Sequence, residues 1–323
     1  MTQAQTEGDV LDEYIRRYCN WNRWGDGDER GTTNLVTPAI VRDASRGVSV
    51  GRVLALNLPF DADGPQTGAY GRFNCLRYSV HTGTDYAMER QVRAGGLLPR
   101  NVGFADDMVA MPLQSATHWD ALSHVFHRGK MYNGYPADEV TSQEGAPRCS
   151  TSSLRGQLVG RGVLLDIPPT KGLPWLDDGY AITSEDLETA VEHEQVEIRE
   201  GDVLIVRTGQ MARCLSQGWG TFAGGDAPGL SFFALPWLYE RGVAAVATDT
   251  WGVEVRPNEL PDSFQPFHIV AVVYMGLLLG EMFYLEELAD VCADLGRYDV
   301  FLSAAPLPFT GAAGGPPGAV AIV

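Results

Sequence analysis

Positive charge is scarce in this chain. Against 41 Asp plus Glu stand only 24 Lys plus Arg, a formal net charge of −17 with a pI near 4.7. No run of Lys or Arg occurs. Binding to phosphate backbones or anionic membranes needs clustered positive charge, so nucleic-acid and membrane-surface partners are not expected; the acidity itself serves solubility. Cysteine is sparse and unpatterned: Cys19, Cys75, Cys149, Cys214 and Cys292 are odd in number and form no CxxC. Such a set reads as free thiols in a reducing compartment, not as a disulfide framework. Long apolar runs are missing too. The longest, Ile269 to Leu279, is too short to span a bilayer. The start, MTQAQTEGDVLDEYIRRYCNWNRWG, lacks the basic segment and apolar core of a signal peptide. A cytoplasmic location is therefore expected. No GxGxxG follows a strand and no GxxxxGK[ST] occurs, so a nucleotide cofactor finds no support.

What is present is enough to build a sizeable core: 323 residues, 45% of them hydrophobic. No internal repeat, low-complexity tract or linker divides them, and residues 1–323 read as a single domain with 1–49 as an N-terminal arm. Val10, Leu11, Tyr14, Ile15 and Tyr18 recur at helical spacing and predict a helix over 8–24. VGRVLALNLPF at 50–60 reads as a strand with a proline stop. The stretch 61–112 is Gly-rich and irregular, a pattern typical of functional or partner-packed segments. Beyond residue 150 the pattern is regular. Strands are expected at 158–167, 201–209, 243–248, 277–283, 299–307 and 319–323. Helices are expected at 184–194, at 231–242 and around 266–275, the first opened by the capping pair Thr183 and Asp186. Strand–helix alternation argues an α/β fold. Many short apolar strands and the glycine content argue a curved or barrel-like mixed sheet surrounded by helices.

Histidine is scarce, yet half of the six (His81, His118, His124, His127, His193, His268) fall in the decapeptide from His118 to His127. In an extended segment residues two apart share a face, which joins His118 with Asp120. In a helix residues three or four apart do, which joins Asp120, His124 and His127. A strand turning into a helix near Asp120 would let all of them converge. Imidazole and carboxylate suit Zn²⁺, Mn²⁺ or Fe²⁺, and a further histidine beside such an ion can carry protons. The alternative is a histidine-rich turn or a satisfied buried network. The apolar residues in between (Trp119, Ala121, Leu122, Val125, Phe126) predict burial. Further donors are sought in FHIVAVVYMGLLLGEMF, where His268 and Glu281 can meet only if the chain reverses, and Gly276 offers the break. A carboxylate among Leu277, Leu278, Leu279, Met282 and Phe283 needs a partner.

The run Gln114-Ser115-Ala116-Thr117-His118-Trp119-Asp120-Ala121-Leu122-Ser123-His124 resembles the signature HxGTHxDxPxH of the kynurenine formamidase-like cyclase family. The stretch with His268, Gly276 and Glu281 resembles that family's later His…Gly…Glu segment. GDVLIVRTG and APLPFTGAAGGPPGAVAIV are similar to a site-lining strand and to the usual C-terminus, so the resemblance spans roughly 50–323. It implies a swivelling β/β/α-type fold, a homodimer or homotetramer, and a divalent metal, Zn or Mn, that activates water. The implied ligands are His118, Asp120, His268 and Glu281, with His124 as acid/base. Gln114 stands where the family has its first histidine; glutamine is a weak, neutral donor, which implies one ion per chain rather than two. Leu122 replaces the family's proline and Ala116 its glycine, marking a longer, divergent branch.

Pocket residues are drawn from His127, Asp249, His81 and Trp119. His127 is read equally as a substrate hydrogen-bonder or a surface cap, and Asp249 as pocket lining or a turn cap. The small-molecule activity expected is hydrolysis of a cyclic amide, a lactone or an N-acyl compound. A metal-dependent cyclase or dehydratase of natural-product biosynthesis is the alternative within enzymes. A non-catalytic small-molecule-binding relative, its metal lost through Gln114, is the alternative outside them.

Overall fold

A computed structural model describes residues 7–93, 96–97, 100 and 102–323. The first six residues, and 94–95, 98–99 and 101 of the irregular stretch, lie outside them. Four strands form the heart of the molecule: β5 (Val159–Asp166), β6 (Val203–Arg207), β7 (Ala245–Thr248) and β8 (Leu278–Glu281), all parallel in that order. Each is an almost unbroken run of buried apolar residues, as strands covered on both faces must be. Antiparallel strands extend the sheet at either side. On one flank lie β9 (Asp299–Ser303), β11 (Val320–Ile322) and β1 (Val53–Ala55); on the other, β4 (His118–Asp120) and β10 (Gly314–Gly315). The resulting nine-stranded mixed sheet, β1-β11-β9-β5-β6-β7-β8-β4-β10, curls into a half-barrel flanked by helices.

Among those helices, α2 spans Pro38–Arg46, and α3 (Ser184–His193) starts as its capping pair requires. Asp186 N donates to Thr183 Oγ1 at 3.2 Å and Thr183 N donates back to Asp186 Oδ2 at 2.9 Å. The expected helix over 231–242 is shorter, a 3₁₀ turn at Phe232–Ala234 leading into α-helix at Leu235–Glu240. The expected helix at 266–275 is an α turn, Pro266–His268, that widens into a π-helical turn, Ile269–Met275. The expected strand 50–60 narrows to three residues, because beyond Ala55 the chain makes only single contacts to neighbouring backbone at Ala319 and Phe283.

The N-terminal helix, α1, runs Glu7–Arg17 and stops well short of residue 24. Beyond it the segment is sewn to the body. Asn20 Nδ2 donates to Met275 O at 2.9 Å, Trp21 Nε1 to Val273 O at 2.7 Å, and Thr32 Oγ1 to Ala244 O at 2.8 Å. The stretch 61–112 contains a two-stranded ribbon, β2 (Leu76–His81) against β3 (Asp106–Ala110), nearly all of whose residues are exposed. No helix among the described residues is long and apolar enough to cross a membrane, and all five cysteines are unpaired.

Candidate metal centre

Register assembles the site. β4 lies between β8 and β10, with His118 opposite Glu281 and Asp120 opposite Gly314. Side chains alternate along a strand, and directly opposed residues share a face. His118, Asp120 and Glu281 therefore meet on one side of the sheet, and Trp119 goes to the other. The buried His118 Nε2 stands 3.3 Å from Asp120 Oδ1 and 3.3 Å from Glu281 Oε2. One donor atom from each of the three residues lies within 4.8 Å of the others. His118 Nδ1 sits 2.8 Å from the carbonyl of Ala116, which only accepts, so Nδ1 carries a proton. In the neutral ring Nε2 then presents a lone pair. Both His118 Nε2 and Asp120 Oδ1 are buried with no hydrogen-bond partner of acceptable geometry, a costly arrangement unless something else bonds to them.

His268 arrives from the helical segment before β8. Gly276 makes the reversal anticipated in sequence: its φ is +68°, and a Cβ there would come 2.3 Å from the Tyr132 ring. This turn brings His268 Nε2 to 3.3 Å from Glu281 Oε1. The other nitrogen, Nδ1, lies 2.6 Å from Glu254 Oε1. Glu254 also accepts from the backbone N–H groups of Phe267 and His268, at 3.2 and 3.0 Å. No helix follows Asp120, contrary to expectation. Ala121 N still bonds to Ala313 O, and Ser123 N to Cys149 O, which draws the chain into a turn. His124 nevertheless comes back over the site, with Nε2 3.6 Å from Asp120 Oδ1 and a side chain 26% exposed.

Residues 54–255 match the family described as "Putative cyclase". The chain belongs to that cyclase family. The match covers most of the chain, and the His118–Asp120–His124 pattern lies within it. A crystal structure of a novel cyclase is 35% identical over 96% of this chain and 99% of its own, with a TM-score of 0.88. An isatin hydrolase bound to the product analogue thioisatinate is 18% identical, over 84% of this chain and 92% of its own, with a TM-score of 0.59. Isatin hydrolase A from Labrenzia aggregata, bound to benzyl benzoate, gives 19%, 88% and 98%, also at 0.59. With the two isatin hydrolases the likeness is one of fold. No curated protein matches.

Electrostatics in this cyclase-family site favour cations. Burial works against a charged His118, but Asp120 and Glu281 outweigh it and raise its pKa to about 9. His268 is likewise disfavoured by burial and raised to about 10 by Glu254 and Glu281. Burial pushes Glu281 up, yet the two histidines hold it well below the usual carboxylate range. For His124 burial prevails and lowers the pKa.

The remaining expected site residues scatter. Trp119 is core: its indole N–H donates to Ala304 O at 2.8 Å, and its ring meets Phe283 edge-on at 5.1 Å. The alternation that aims His118 and Asp120 inward sends Trp119 the opposite way. Asp249 staples two strand ends, accepting from Thr208 N, Thr208 Oγ1 and Gly209 N, each at 2.8 Å. This is the turn-capping alternative. His81 sits on the exposed ribbon against Phe104. Gln114 is half-buried beside Gly314, where a Cβ would come 2.7 Å from its Nε2. His127 takes up the Tyr274 hydroxyl at 2.8 Å and shares with His124 the wall of a cavity of about 570 Å³. Glu254 escaped sequence reading, although a carboxylate inside Val253-Glu254-Val255 is the same signal that marked Glu281. Arg72, Tyr70 and Gln66 carried no such signal.

Proposed function

We propose that this protein is a divalent-metal-dependent hydrolase of a carbonyl compound: a cyclic amide, a lactone or an N-acyl compound. The observation that carries the reading is the buried His118–Asp120–Glu281 triad with two orphaned donor atoms. One imidazole and two carboxylates suit Zn²⁺ or Mn²⁺. His118, Asp120 and Glu281 would hold the ion, His268 would be a fourth donor, and Gln114 at the margin favours one ion per chain. A cation there would replace the positive charge that the acids otherwise hold on His118 and His268. When bound, such an ion supplies a Lewis acid that polarises a carbonyl and lowers the pKa of water.

The chain's own groups do the rest. Glu254 fixes the His268 ring through Nδ1, leaving Nε2 aimed at Glu281. His124, neutral through burial and open to the cavity, takes a proton from the attacking water. It returns that proton to the departing nitrogen or oxygen as the acyl bond breaks, giving a carboxylic acid and an amine or alcohol. Elemental analysis of protein purified without chelator should find one divalent ion per chain. Turnover of a panel of lactones, imides and formamides should be lost with chelator and restored by Zn²⁺ or Mn²⁺. Zero ions would turn the reading to a binding protein, and two tightly held ions would overturn the stoichiometry.

A further inference from the structure

The cavity over the cluster, about 200 Å³, has a cationic and aromatic wall that the hydrolytic residues do not use. His124, His268 and Glu281 form its floor, and Arg72, Trp251 and Phe264 stand around it. Trp251 is buried and held in place: its indole N–H donates to Gln66 Oε1 at 3.2 Å, and Gln66 Nε2 donates in turn to Ser115 O at 2.9 Å, next to the motif. Tyr70 stacks on Trp251 at 5.7 Å and 23°. Tyr70 itself has φ +54°, a strained backbone for a residue with a bulky side chain, just ahead of Arg72. The Arg72 guanidinium lies over the Trp251 ring, 4.9 Å from its centroid.

Among the described residues, no side-chain hydrogen bond or ion pair occupies that guanidinium, and it is the one Arg or Lys on the wall. Its setting makes this notable. Asp120, Glu254 and Glu281 put three buried carboxylates in the cluster beside the cavity floor, and they engage the cations within that cluster, so a cation at the rim is the group left to receive an anionic ligand. A guanidinium over a fixed indole, with its N–H groups engaged by no other side chain among the described residues, is able to receive a planar carboxylate.

We propose that Arg72 is a specificity-determining residue that receives a carboxylate borne by the substrate, and that Tyr70, Trp251 and Phe264 border the ring of this planar, anionic carbonyl compound. The inference deepens the hydrolase reading and rests on it.

The test uses 2-naphthoate and its uncharged counterpart 2-naphthamide, titrated calorimetrically into the metal-loaded protein, with metal content measured on the same samples. The parent should prefer naphthoate. Arg72→Gln should weaken naphthoate roughly tenfold or more while leaving naphthamide nearly unchanged, and Arg72→Lys should recover part of the loss. Equal weakening of both probes would mean that Arg72 merely props Trp251, and would overturn the proposal. So would naphthoate affinity that survives Arg72→Gln and disappears on chelation, since the metal would then be its receptor. Failure of the parent to bind naphthoate at millimolar concentration overturns it as well. A metal-free protein sinks the hydrolase reading separately, because the naphthoate-to-naphthamide ratio in parent and variant still reports on Arg72.

Discussion

At the scale of residues, the distinction that matters to the proposed hydrolysis is between groups that would hold an ion and the group that would move a proton. Asp120 Oδ1 is buried and unpartnered, whereas His124 Nε2 stands 3.6 Å away from it on a side chain that reaches the cavity. Asp120→Ala should therefore lose metal and activity together, since the ion forfeits a charged donor. His124→Ala should retain most of the metal but cut turnover by ~10²–10⁴-fold. Metal content and rate measured side by side for both variants decide the matter; loss of the ion from both would make His124 a ligand. The placement of these side chains was partly legible in sequence. The two-residue spacing of His118 and Asp120 is meaningful on any strand, and an acid flanked by leucines had to find a partner. The roles of Trp119 and Asp249 were not, because a residue's face depends on which strand it joins, and a carboxylate's partners depend on what the fold brings near.

Among the elements, the junction of α3 with β5 carries a second titration. Glu194, just past the end of α3, is buried and accepts from Asp166 N at 2.6 Å, while its Oε2 has no partner. Burial, with a smaller push from Asp166, raises its pKa from 4.5 to about 8. The folded state thus keeps a proton that the unfolded chain releases. This group costs nothing below about pH 4.5, and its destabilisation grows as pH rises until it is complete near pH 8. Glu194→Gln should match the parent's thermal stability at about pH 4–5 and exceed it above pH 8 by an amount on the order of a few kcal/mol. Melting curves across that range that stay parallel would show that Glu194 is ionised in the fold. Elements were legible where period and caps agreed, as in α3 and β5 to β8. The π-helical turn at Ile269–Met275 and the turn after Asp120 were not, because both are set by hydrogen bonds to distant backbone.

For the whole molecule, the ribbon of β2 and β3 stands out. Leu76, Tyr78, Val80, Met108 and Val109 are all exposed on it, and a lone two-stranded ribbon is marginal in water. We expect a homo-oligomer, most simply a twofold dimer, that covers these residues. Light scattering at micromolar concentration should show it, Tyr78→Lys with Val109→Lys should shift it toward monomer, and a monomeric parent would refute it. By itself the sequence determined the α/β class, the family signature, the pairing of His118 with Asp120 and the reversal at Gly276 that returns Glu281 to His268. These rest on local rules: side-chain period, charge burial and the conformational freedom of glycine. The sheet order that sets His118 opposite Glu281, the coupling of Glu254 to His268 and the placing of Arg72 over Trp251 belonged to the tertiary structure alone. Each joins residues far apart in the chain, and no local preference encodes which of many possible partners the closed fold selects.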